Sequence, residues 1–260
     1  MKLLRLFAIA RVVAKNRHRK EIFFNSFNLW QKNNSANSCN SWQKNIICLY
    51  LLNTTKHNVL KRILPLFSYI LHPIFISMYA TLFYLFCKND AFTNQEKYYV
   101  LFQILIITIL VPVLFFLLLR STGHVKSVMV HETSQRRIPL VLQCFLYILL
   151  VKRSIVIARY PELHFFFLGA LFSTILALVL SMFKVKASLH MMAISGFTIF
   201  AIGLNMHLQM QNPYWAAFLI LMTGVVASSR LEMEAHSPNE LLIGTCIGIV
   251  PQLLFLYLWL

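Results

Sequence analysis

Ser228 to Gly244 reads SSRLEMEAHSPNELLIG, a charged joint between two long apolar runs. Arg230, His236 and three of the chain's eight carboxylates, Glu232, Glu234 and Glu240, fall within it. The run before it extends from Pro213 to about Ser228, and the run after it from Glu240 to Leu260. Apolar runs near 20 residues are what a helix needs to cross about 30 Å of hydrocarbon. A connector that only joins two such helices has no need of an arginine, a histidine and three acids.

Composition extends the reading to the whole chain. Of 260 residues, 58% are hydrophobic and 12% charged, where a soluble domain carries about a quarter charged. The sequence therefore predicts an all-α, polytopic transmembrane helical bundle of about six to seven spans, in the bacterial inner (plasma) membrane. The net charge of +16 is uneven. Twelve of the 24 Lys and Arg precede Ile63, against the single acid Glu21. Residues 1–62 read as a basic, Asn-rich, disordered tail, or as a misassigned start with the true beginning near Lys56. Such a tail suits anionic headgroups. Nucleic acid is not expected as a partner, because the tail carries no recognisable binding module. The five cysteines show no metal-ligand spacing, so no metal and no cofactor is expected.

Residues 63–260 form the expected membrane domain. Its spans read as Ile63–Cys87, broken near His72-Pro73, then Tyr98–Leu119, Ile138–Ala158 and His164–Phe183. Three more follow: KASLHMM to Gln209, Pro213–Ser228 and Glu240–Leu260. Alternation then puts the connectors at 120–138, 184–188 and 229–239 on one side of the membrane. KNDAFTNQEK, RYPEL and QMQNP fall on the other. The polar chemistry gathers on the first face.

On that face Glu240 follows His236 by four residues, one helical turn. A carboxylate so placed fixes one imidazole nitrogen as N–H and leaves the other basic, as a nucleophile or base. Arg230 offers forked donors to a phosphate. Ser188 reads as the N-cap of the fifth span, with His190 in its first turn, where N–H groups face an anion. Arg136 and Arg137 precede the third span and complete a candidate cationic clamp.

These segments resemble, in order, the type 2 phosphatidic acid phosphatase superfamily of membrane enzymes. That family carries a Lys, six residues, then Arg-Pro; later Pro-Ser-Gly-His; and last Ser-Arg, five residues, His, three residues, Asp. Here Ser229-Arg230, His236 and Glu240 keep the last spacing, ASLH keeps Ser188 and His190, and RRIP keeps an arginine near a proline. Glu240 stands for Asp and Leu189 for Gly, and no Lys precedes RRIP at the expected distance. The resemblance implies a metal-independent phosphatase whose substrate is a phosphorylated lipid, a phosphatidate or a polyprenyl phosphate. His236 would attack phosphorus, oriented by Glu240. Arg230, Arg137, Arg136 and the backbone at Ser188 would hold the phosphate, with His190 as general acid. Lys126, Lys184 or Lys186 would replace the missing lysine.

Blander readings stand beside these. Arg136 and Arg137 also fit positive-inside markers, and His72, His164 and His207 read as interfacial or packing residues. Glu232 and Glu234 read as a wet loop, and Ser195–Phe197 and Gly203 as helix-packing positions. The alternative function is a catalytically degenerate scaffold with a lipid-binding or assembly role. A magnesium-dependent prenyltransferase is excluded, since Asp90 is the only aspartate. A transporter would favour acids buried within spans, and none is evident. The basic connectors place the site inside by the positive-inside rule, whereas the family opens its site outward.

Overall fold

The computed structural model describes residues 63–121, 137–210 and 212–260, and all the regular structure among them is helical. The tail at 1–62, Lys126, His124, His131 and Arg136 lie outside the described residues. The helices are α1 (Ile63–Ile70), α2 (Pro73–Cys87), α3 (Asn94–Ser121), α4 (Arg137–Leu149), α5 (Pro161–Met182), α6 (Leu189–His207), α7 (Tyr214–Glu232) and α8 (Pro238–Trp259).

Five of these, α3 and α5 to α8, are long and apolar enough to cross a membrane. The pair α1 and α2, bent by 65° at its break, makes a sixth if counted as one span. The third expected span is a helix, α4, extended by a π-helical turn over Leu150–Ser154. It does not qualify as an apolar span because Arg137, Lys152 and Arg153 lie within it.

Proline and capping chemistry set the breaks. Pro73 does not kink a continuous helix. It opens α2 at the first position, with His72 as N-cap accepting the Ile74 N–H through Nδ1 at 3.3 Å, and an opening proline loses no bond there. In α3 the turn Ile106–Leu110 widens to a π-helix just before Pro112, where a proline ring would meet the carbonyl four residues back.

Helices α6 and α8 form the tightest contact. A Cβ on Gly248 would strike the Met192 carbonyl and the Ser195 hydroxyl, and one on Gly244 the Ser188 backbone. A Cβ on Gly196 would lie 3.4 Å from the Gly248 carbonyl, in van der Waals contact with it. Small residues let two backbones approach in a bilayer, where van der Waals packing drives association. Gly196 and Gly203, whose Cβ would meet Leu256 and Trp259, are thus packing positions. Side-chain bonds pin other pairs: Ser173 to the Ile247 carbonyl (2.9 Å), Gln252 to the Phe166 carbonyl (3.0 Å) and Thr198 to Thr223 (3.1 Å). The outer faces carry exposed Phe102, Leu114, Phe145, Phe172, Ile220 and Leu254.

The two ends of the bundle differ. Far from the Ser228–Gly244 joint, Glu162 lies 2% exposed in the first turn of α5. It accepts from Lys88 Nζ at 2.5 Å and Tyr84 at 3.0 Å, with His207 Nε2 at 3.5 Å. This corrects the expectation that no acid is buried: RYPEL is not wholly a solvated connector, because α5 already begins at Pro161. Nearby, Arg159 grips Glu96 with both bonds at 2.6 Å, and Tyr160 adds a third at 2.9 Å. Burial, then the bond to Glu96, pushes the Tyr160 phenol up to about 12, so it remains a donor. Lys88→Met leaves Glu162 without its ammonium and is expected to destabilise the bundle by about 2 to 3 kcal/mol. Thermal unfolding in detergent checks it.

Candidate functional site

The near end is built from the joint that opened the sequence. Helix α7 stops in a left-handed turn at Glu234 (φ 52°). There the Glu234 N–H bonds the Leu231 carbonyl and the Ala235 N–H bonds the Arg230 carbonyl, at 3.0 and 3.2 Å. This closes the orphan carbonyls of the helix end. Glycine would take that φ without steric penalty. Three residues beyond Glu234, Ser237 caps α8, accepting the Glu240 N–H at 3.4 Å, with Pro238 at the first helical position. Ser-Pro-Asn-Glu has the residue pattern of a capping box. Here the Glu240 carboxylate turns to His236 instead.

His236 Nδ1 and Glu240 Oε2 are 2.7 Å apart, and the imidazole side chain is 3% exposed. Lys186 steadies the carboxylate: its Nζ lies 3.7 Å from Glu240 Oε2 and donates to the Ala235 carbonyl at 3.2 Å. Arg230 reaches from the end of α7 to α1, where Nη1 donates to the buried Ser68 hydroxyl at 3.0 Å. Ser229 donates to the Leu64 carbonyl at 2.7 Å. Together these tie α7 to α1.

His190, in the first turn of α6, meets His72 edge to face with ring centroids 5.0 Å apart. His190, His72, Arg230, His236 and Ser68 all line one cavity of about 740 Å³. The cavity continues between α2, α3, α4 and α5 past Ile76, Phe115, Phe116, Leu140 and Phe166. Its volume suits a whole drug-sized molecule, far more than a phosphate. One end is cationic and the body apolar.

The other expected phosphate ligands are placed differently. Ser188 caps α6 but is fully buried outside the cavity lining, and its N–H donates to the Glu240 carbonyl at 3.1 Å. Its hydroxyl has no hydrogen-bond partner among the described residues. Leu189, not Ser188, faces the cavity. Arg137 also lies outside the lining and donates to the Ser181 carbonyl at the end of α5, at 3.2 Å. His164 is a packing residue whose Nδ1 contacts the Ile155 carbonyl at 2.6 Å. Among the described residues no three His, Cys, Asp or Glu side chains are grouped to hold a metal.

The sequence reading missed His72 and Ser68 as wall residues. The signal was the His-Pro break itself, since the 65° bend there leaves His72, and Ser68 of α1, on the cavity wall. The fold and the apolar outer faces define an integral membrane protein of the helical kind. Comparison of the chain with protein-family models, with curated proteins and with solved structures finds no match.

Proposed function

We propose that the protein is a membrane lipid-phosphate phosphatase, of the type 2 phosphatidic acid phosphatase kind, working through a phosphohistidine. The observation that carries this reading is His236, held by Glu240 at 2.7 Å, lining one cavity with Arg230 and His190. With Nδ1 held by the carboxylate, Nε2 is the basic nitrogen. It attacks phosphorus as the ester P–O bond breaks, and His190 protonates the departing alkoxide. Water then attacks the phosphohistidine, giving a proton to His190 as the P–Nε2 bond breaks; inorganic phosphate leaves and His236 is restored. Arg230 neutralises the equatorial oxygens through both steps.

A second reading, the same scaffold without catalysis, is favoured by Leu189 facing the cavity and by Arg137 lying outside it. Purified protein in detergent with EDTA decides between them. Release of inorganic phosphate from phosphatidate or polyprenyl phosphate supports the enzyme; inactivity on both supports the scaffold. If the enzyme reading holds, Arg230→Lys keeps the charge but loses the fork. A drop of about 10²-fold in kcat/KM is expected, with the unfolding temperature measured alongside to separate it from loss of the Arg230–Ser68 tie between α7 and α1.

A further inference from the structure

The cavity is lined without acids. Among the described residues its wall has one guanidinium, Arg230, and three imidazoles, those of His72, His190 and His236, and no Asp, Glu or Lys. Lys186 is engaged elsewhere, by Glu240 and the Ala235 carbonyl. The first turns of α2 and α6 reach the same wall through Ile74 and Leu189, so the positive ends of two helix dipoles add to the cation. The proposed scheme uses Arg230, His190 and His236 and leaves His72 idle.

The main chain fixes how His72 can act. Its Nδ1 accepts the Ile74 N–H at 3.3 Å as the N-cap of α2. The neutral ring therefore carries its proton on Nε2, at the far edge from the helix. The bond at Nδ1 is the only hydrogen bond of this side chain among the described residues, and His72 is exposed, not packed away. Its ring meets that of His190 edge to face, with centroids 5.0 Å apart, and the Arg230 charge reaches both rings. A phosphoryl group within reach of His190 is thus within reach of His72. Such a group has three terminal oxygens in a monoester. A guanidinium fork engages two at most, which leaves the third for a donor on another element. The Nε2–H of His72 supplies that donor as a neutral ring, with no second positive charge placed beside Arg230.

We propose that His72 is a phosphate-binding residue, its neutral Nε2–H donating to a terminal oxygen of the headgroup that Arg230 holds. The inference rests on the reading of this cavity as a phosphate site, and its test is separable from catalysis. Equilibrium binding to the purified full chain is measured for dodecylphosphonate, whose C–P bond offers no ester to cleave, and for dodecanol, which has the same tail and no anion. His72→Asn keeps the cap, since Asn is as good an N-cap as any residue, but its shorter amide does not extend to the place of Nε2. It is expected to bind the phosphonate about tenfold more weakly, as the loss of one hydrogen bond to a charged group allows, and to bind dodecanol as before. His72→Asp also keeps the cap and sets a carboxylate against the anion, so it should bind the phosphonate more weakly still. Equal phosphonate binding by His72→Asn and the unaltered protein overturns the assignment. A parallel loss of phosphonate and dodecanol binding overturns it too, because a purely structural role of His72 would give that result. Failure of the unaltered protein to bind the phosphonate removes both the assignment and the phosphatase reading. Phosphate release from dodecyl phosphate, followed alongside, bears on catalysis alone: phosphonate binding that depends on His72 without release keeps the assignment and removes the enzyme.

Discussion

Phosphate release is expected to fall by about 10⁴-fold or more when His236 is replaced by alanine. The imidazole is the only group in the proposed scheme that bonds to phosphorus, so no neighbour replaces it. Glu240→Gln is expected to lower kcat by roughly 10²- to 10⁴-fold through a different route. An amide can donate to Nδ1, which moves the ring proton to Nε2 and inverts the tautomer that nucleophilic attack requires. Lys186 would lose its ion partner at 3.7 Å in the same variant. The control is the α7–α8 joint itself. Its turn rests on main-chain bonds from Glu234 and Ala235 and on the Ser237 cap, none of which uses the imidazole. Circular dichroism and unfolding temperature should therefore stay near those of the unaltered protein.

A stability effect as large as that of Lys88→Met is expected at Gly248. Alanine there places a methyl group against the Met192 carbonyl and the Ser195 hydroxyl. The hydroxyl can rotate, but the carbonyl moves only if α6 moves. Overpacking of this kind costs about 2 to 3 kcal/mol. Because α6 carries His190 in its first turn, the displacement also reaches the cavity wall. Gly224, whose added Cβ would meet nothing within 4 Å, is the matched control. Gly224→Ala should be neutral or gain up to about 1 kcal/mol from helix propensity. Thermal unfolding of both variants in one detergent gives the comparison directly.

What the sequence reveals and what it conceals follow from the range of each interaction. Apolar length and proline are local signals, so α3 and α5 to α8 are legible at nearly their observed bounds. The joint at 228–244 is legible for the same reason: the i,i+4 spacing of His236 and Glu240 and the Ser-Pro-Asn-Glu start are properties of one short segment. The ambiguity at α4 is local too. Lys152 and Arg153 are visible in the sequence, yet only the ended helix shows that they terminate it through a π turn. Long-range choices are not legible. Nothing in RRIP tells whether Arg137 serves a ligand or the Ser181 carbonyl on another helix. Nothing in KASLHMM tells that Ser188 gives its N–H to Glu240, 52 residues on. Glu162 is hidden for the same reason: Tyr84 of α2, Lys88 just past its end and His207 of α6, which make its burial tolerable, are distant in sequence.

The central claim is that His236, oriented by Glu240, takes a phosphoryl group from a lipid. Its most direct test is chemical. Protein mixed with labelled phosphatidate is quenched in base within one turnover, digested, and the peptide spanning 228–244 analysed by mass. The account predicts an acid-labile, base-stable phosphate on His236, absent from His236→Ala. Turnover of the lipid with no phosphate on that ring, or with label on another residue, would contradict it.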